Sequence, residues 1–328
     1  MSAFGLGLLT HATPPGAWEA RPLSEPILRL RSATARAIAE SWSGLEEVGW
    51  EGVIDGAPFV VERGRAGDHR FVHGAYPDHR RSVTRSDGTR AVHHLSPDAS
   101  LLQCAPADTA EQSWWRVVLD SVLFTVALLQ GYEALHAGAV ATPVGAIAIT
   151  AMTGGGKSTL LSELLGHGLT LMADDVLVLE PSNTDAPPLA HPAPPLMTIP
   201  DARLPMLKQA SSATEAVSMQ AGPLETISSL GEESWIAVPV HPTPLPLAAL
   251  VVLNRSPGLA TGLHKVERPL PALMDSLLRF PRTRARERAR FELAGAIAAH
   301  VPIWELDADP SVAPDTLAGL LLAELAGL

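Results

Sequence analysis

Ala151-Met152-Thr153-Gly154-Gly155-Gly156-Lys157-Ser158-Thr159 is the stretch on which the reading of this chain turns. It fits the phosphate-binding pattern G-x-x-x-x-G-K-[ST], with Ala151 in place of the first glycine. Glycines let backbone N–H groups turn inward around phosphate oxygens, and a helix opening near Lys157 adds its positive end. Thr153, Gly154, Gly155, Gly156, Lys157, Ser158 and Thr159 therefore form a predicted nucleotide cradle. Lys157 reaches the terminal phosphates, and the Ser158 hydroxyl ligates magnesium. The surroundings agree. The apolar run Val144 to Thr150 predicts a strand entering the loop. Leu160, Leu161, Leu164 and Leu165 mark one face of a helix leaving it, ended by Gly166 and Gly168. A chance Gly-rich turn would have neither neighbour.

Working outward, Leu169 to Leu179 is predicted as the next strand and carries Asp174 and Asp175. If this strand lies beside the loop, one carboxylate can hold a metal and the other accept a proton. A turn or cap explains one aspartate, not a pair. Upstream, Ala134 to Ala141 predicts a strand containing His136. A lone histidine in an apolar strand is most often a satisfied core residue, and only its neighbours give this one weight.

Together these elements resemble the catalytic domain of the HPr kinase/phosphorylase family, within the group that includes phosphoenolpyruvate carboxykinase. Leu135-His136-Ala137, the loop ending Gly156-Lys157-Ser158, Gly168 and Ala173-Asp174-Asp175 follow that family's order and spacing. The resemblance covers residues 131–180 and, more loosely, the remainder to the C-terminus. It implies an α/β fold: a mixed-sheet phosphate-loop domain preceded by a β-rich N-terminal domain. It implies ATP and magnesium as cofactors, with Asp174 as general base, Ser158 and Asp175 holding the metal, and His136 beside Asp174 or the transferred group. His136, Asp174 and Lys157 are then the catalytic set. The family's glutamate–arginine–glycine segment after the Asp pair is missing. A Pro-rich stretch leads instead to Pro200-Asp201-Ala202-Arg203. The chain is more similar to the HPr-kinase-like proteins that tailor ribosomally made peptides, which implies serine of a peptide or small protein as acceptor. A small-molecule kinase and a nucleotide-gated binding protein are the alternatives. No Leu-Ser-Gly-Gly-Gln segment suggests a transporter-type ATPase.

The rest of the chain bounds this reading. The 328 residues are 46% hydrophobic and 18% charged, enough apolar side chains for sizeable cores. A net charge of −11 argues against nucleic acid or anionic lipid as partner. One cysteine, Cys104, allows no internal disulfide. The longest apolar run, Val117 to Gln130, contains Asp120 and is too short for a bilayer, and Met1 to Leu9 lacks a basic leader. The expectation is a cytoplasmic protein, free to form a homo-oligomer. Turn-rich sequence between Leu95 and Glu111 divides it into residues 1–105 and 106–328. Hairpin signals at Asp55-Gly56 and Ser86-Asp87-Gly88 make the first part β-rich. Helical spacing runs from Glu111 to Gly131, with Trp114 and Trp115 read as core. Eight prolines in residues 181–205 argue against regular structure there. Two basic stretches, residues 61–90 and Arg279 to Arg290, read first as solvated faces. The first offers a docking surface for an acidic partner, and the second an arginine for the transferred phosphoryl group.

Overall fold

The computed structural model describes residues 1–10, 26–54, 57–73, 91–105, 115–182, 185–205, 224–230, 233–267, 269–279 and 284–325, with Pro14, Trp18 and Leu207. It divides into two compact units. One holds Met1–Pro15, Ala20–Gly131 and Arg279–Arg288, and the other Gly16–Glu19, Tyr132–Leu278 and Ala289–Leu328. The division thus falls at Gly131/Tyr132, not at the expected 105/106. The predicted helix belongs to the N-terminal unit because its apolar face is buried there, from Val118 to Leu128.

The first unit begins with β1 (Ser2–Ala3), β2 (Leu6–Thr10), β3 (Ile27–Ser32), α1 (Ala35–Ser41), β4 (Leu45–Ile54) and β5 (Ala57–Gly64). β6 (His69–His73), β7 (Ala91–Leu95), β8 (Leu101–Ala105) and α2 (Leu123–Leu129) complete it. The eight strands make one sheet in the order β1-β2-β3-β8-β7-β6-β5-β4. β4 and β5 pair antiparallel up to Ile54 opposite Ala57, while Asp55-Gly56 lies outside the described residues. The Ser86-Asp87-Gly88 signal lies outside the described residues. Residues 118–122, just before α2, wind as a π-helix, which apolar spacing alone does not reveal. Trp115 is core, 3% exposed, as expected; Trp114 lies outside the described residues.

The second unit holds the phosphate loop. It runs β9 (Glu133–Leu135), β10 (Gly138–Thr142), β11 (Gly145–Ala151), α3 (Lys157–Gly166), β12 (Thr170–Ala173), β13 (Leu177–Glu180), β14 (Leu189–His191) and β15 (Leu196–Pro200). β16 (Thr226–Leu230), β17 (Glu233–Ala237), β18 (Leu245–Arg255), β19 (Gly262–Lys265), α4 (Leu270–Ser276), α5 (Arg284–His300), β20 (Ile303–Ala308) and α6 (Pro314–Leu325) follow; α5 begins within the first unit's residues. β11 and β18 pair in parallel, as do β18 and β20, while β10 joins β11 and β12 antiparallel. This is a mixed sheet in an α/β unit, as expected. Ala146 to Ile149 are all buried, so β11 is apolar throughout rather than alternating. α3 buries Leu160, Leu161 and Leu164 in the same cluster as Ile147, Ile149, Leu317 and Leu321. Each such side chain contributes about 1.5–3 kcal/mol on burial.

Two strand expectations are corrected. The run Leu169 to Leu179 is two strands, β12 and β13, interrupted at residues 174–176, and Ala134 to Ala141 is likewise split into β9 and β10 at residues 136–137. Residues 181–205 are not irregular, since β14, β15 and a 3-10 turn at Asp201–Arg203 lie within them. Most of the prolines stand between these elements. Pro200 closes β15, an edge strand where no ladder N–H is needed. Among the described residues no helix is long and apolar enough to cross a membrane.

Candidate active site

The two strand breaks face each other. β9 pairs antiparallel with β13, Leu135 opposite Leu177, and β10 with β12, Ala139 opposite Ala173. Between these pairs the ladder opens, and residues 136–138 lie across from residues 174–176. His136, Asp174 and Asp175 therefore all stand at this break in the ladder. The phosphate loop leaves β11, the other neighbour of β10, and sends Lys157 into that gap.

The loop has the shape its glycines permit. Gly154 and Gly156 sit at φ +76° and +92°, a region costly for any residue with a Cβ. The Gly155 N–H donates to the Met152 carbonyl at 2.7 Å, closing the turn. α3 starts at Lys157 with Gly156 as its N-cap, so Ser158 and Thr159 lie half-buried on its first turn. Thr153 is exposed.

Lys157 is 8% exposed, and a buried ammonium needs partners. Its Nζ donates to the Asp174 carbonyl oxygen at 3.0 Å and to Asp175 Oδ1 at 2.5 Å. Asp175 Oδ1 also lies 3.5 Å from His136 Nδ1. His136 is itself pinned by its backbone. Its N–H donates to the Ser276 carbonyl at 2.7 Å, and its carbonyl accepts from Thr150 Oγ1 at 3.0 Å. Of the residues chosen from sequence, Lys157, Asp175 and His136 meet through their side chains and Asp174 through its backbone carbonyl. The Asp175 carboxylate is 64% exposed, and burial alone would raise its pKa. The charge of Lys157, then that of His136, instead holds it below the ordinary range.

Asp174 differs. Its Oδ1 is shut off from solvent and has no hydrogen-bond partner, while Oδ2 accepts the Thr198 N–H at 2.8 Å. Burial pushes its pKa up to about 6, against the opposing pull of Lys157. Two adjacent carboxylates are thereby set apart, one ionised and open to solvent, the other buried and poised near neutrality. Among the described residues no three His, Cys, Asp or Glu side chains form a metal-binding group. Magnesium characteristically takes only one or two carboxylates and keeps water, so a site for it need not contain such a group.

Three contributors escaped the sequence reading. A Cβ at Gly138 would sit 2.6 Å from the Asp174 carbonyl oxygen and 2.1 Å from Leu161 Cδ1, so only glycine lets β10 pass this close. A glycine inside an apolar strand is the available signal. Thr198 acts through its backbone and leaves no mark in the sequence. Arg255, at the end of β18, brings Nη1 within 3.4 Å of where a Gly156 Cβ would stand, and Nη2 donates to the Pro310 and Val312 carbonyls.

In the first basic stretch Arg63 and Arg65 are exposed, in line with a solvated face, as are Arg279 and Arg288 of the second, but two arginines of the second depart from that reading. Arg286 and Arg290 are buried, at 8% and 5% exposure, and Arg290 Nη1 donates to the Leu278 carbonyl at 3.1 Å. Arg282 lies outside the described residues, as do Arg80, Arg81, Arg85 and Arg90. Arg63 pairs with Glu46 at 3.3 Å and Arg70 with Glu62 at 2.6 Å.

No family model matches the sequence, and no curated protein matches it. Among solved structures the chain is similar to the HPr(Ser) kinase/phosphatase from Coxiella burnetii, with 12% identity and a TM-score of 0.31. The match covers 59% of this chain and 97% of that one. A likeness of that size carries no functional argument, which falls to the residues of the site.

Proposed function

We propose that the chain is a magnesium- and ATP-dependent kinase that transfers the γ-phosphoryl group to a hydroxyl, namely a serine of a peptide. The observation that carries this reading is that Lys157, beside the phosphate loop, holds both the Asp175 carboxylate and the backbone carbonyl of Asp174. A plain nucleotide-binding module has no need of a second, buried carboxylate beside the metal-facing one.

In this reading the loop amides from Gly154 to Thr159 bind the phosphates. Lys157 exchanges its contact with Asp175 for the β- and γ-phosphate oxygens. Asp175, once released, and Ser158 would hold magnesium, which when bound would neutralise charge on the phosphates. The acceptor oxygen attacks the γ-phosphorus as the bond to the β–γ bridging oxygen breaks. ADP leaves, and the hydroxyl proton passes to the Asp174 carboxylate. His136, 3.5 Å from Asp175, adds a donor at the edge of the site. The choice of a peptide is supported by the eight-stranded unit, which carries no residue of the phosphate site and leaves a large surface for a chain-like acceptor.

The test is mass spectrometry of the protein with Mg–ATP and a short precursor peptide encoded beside its gene. One phosphate should be gained and should disappear when the peptide's serines are replaced. Transfer to a free metabolite but not to the peptide would overturn the peptide assignment, and transfer to neither would overturn the kinase reading.

A further inference from the structure

Asp174 is held differently from its neighbour Asp175. Lys157 grips its backbone carbonyl, not its carboxylate, and Oδ1 has no partner. Among the described residues, the hydrogen bond to its carboxylate comes from outside the phosphate-loop sheet. β15, β17 and β16 form a separate three-stranded sheet in that order, so β15 is an edge. Along β15, Thr198 stands opposite Trp235 of β17, yet its N–H turns away from β17 and donates to Asp174 Oδ2 at 2.8 Å. An edge strand normally offers such an N–H to water. Here it is spent on the carboxylate.

We infer that the Thr198 backbone N–H is a positioning group that holds the Asp174 carboxylate by Oδ2 and leaves Oδ1, closed to solvent in the resting protein, for the acceptor hydroxyl once the substrate is seated. The inference rests on the reading of Asp174 as the base. A carboxylate on a free χ2 rotor presents either oxygen at many angles. Tying Oδ2 to a sheet leaves one oxygen with one direction, and catalysis by a base depends on that direction. The small sheet is thereby given a task. It is stiffened by Trp235, Ile199 and Ile236, which are 1% exposed or less, so the donor is held on a rigid element rather than a loop.

The strand itself suggests the variant. Pro200 stands two residues beyond Thr198 in the same alternation, so β15 already accepts a residue without an N–H in this phase. Thr198→Pro deletes the donor. Replacing Thr198 by its α-hydroxy acid, which makes a backbone ester, deletes it while keeping the side chain, and decides the matter if the proline variant does not fold. ADP release from Mg–ATP, with water as acceptor, is the readout. Both variants should lose roughly tenfold to hundredfold in kcat, with the KM for ATP unchanged, and kcat should recover in Thr198→Ala, which restores the N–H. Wild-type kcat in the ester variant, or an equal loss in Thr198→Ala, overturns the inference. Asp174→Asn run alongside separates the two claims. If that variant keeps full turnover, the base assignment itself fails; if it is dead while the ester variant is normal, only the role of Thr198 fails.

Discussion

Asp174 and Asp175 are chemically identical neighbours, and their surroundings give them opposite properties. For Asp174, burial raises the pKa from 3.8 to about 6. As a base it must be ionised, so kcat/KM should climb with pH through about 6 and level off above it. A pH–rate profile with no inflection between 5 and 7 would contradict this. Stability has the opposite sign. A carboxyl whose folded pKa is raised favours folding while protonated, and that contribution is lost as pH rises from about 3.8 to about 6. Asp174→Asn should therefore abolish turnover yet make the resting protein more stable at pH 7, by on the order of 2 kcal/mol, measured as a higher denaturation midpoint. Asp175→Asn should weaken Mg–ATP binding instead, because that carboxylate faces solvent and the loop lysine.

Elements place these residues, and here the sequence was only partly legible. The phosphate loop stands out because its glycines and lysine have no other use in that order. The strand breaks do not. Apolar residues flank both of them, around His136 in Ala134 to Ala141 and around Asp174-Asp175 in Leu169 to Leu179, so periodicity reads one strand where there are two. The gap becomes visible only in the pairing, where the ladder stops at Leu135/Leu177 and resumes at Ala139/Ala173. Gly138 is the hinge of that arrangement. Gly138→Ala must push aside Leu161 or the Asp174 carbonyl, and overpacking of this kind costs about 1–3 kcal/mol. Turnover should fall more than in a core variant remote from the gap, a comparison that kinetics on the two folded variants makes directly.

The N-terminal sheet offers an independent element-scale check. Asp68, 2% exposed, accepts hydrogen bonds from the Ser43 hydroxyl and N–H and lies 2.9 Å from His94 Nε2. Burial works to raise its pKa, but these contacts prevail and hold it below 3.8. A depressed carboxylate stabilises the fold above that value, and the contribution is lost as pH falls through the folded pKa. Asp68→Ala should cost about 1–3 kcal/mol near pH 7, since it strands the Ser43 and His94 donors, and the deficit should shrink in acid. A urea midpoint equal to wild type at pH 7 would refute it.

At the scale of the whole molecule, the division of the chain was the least legible feature. Turn residues between Leu95 and Glu111 mark a linker in sequence, but the compact unit continues to Gly131 and takes back residues 279–288 from far along the chain. No composition signal announces such a return. The central claim is that Lys157, the Asp pair and the loop form one site for a nucleotide and its metal. Titration calorimetry of Mg–ATP into wild type, Lys157→Ala and Asp174→Asn tests it most directly. Lys157→Ala removes a charge-assisted contact worth about 1.5–3 kcal/mol, so affinity should fall roughly tenfold to hundredfold, while Asp174→Asn should bind as wild type does. Equal affinity in wild type and a folded Lys157→Ala, or no binding by wild type at all, would contradict the account.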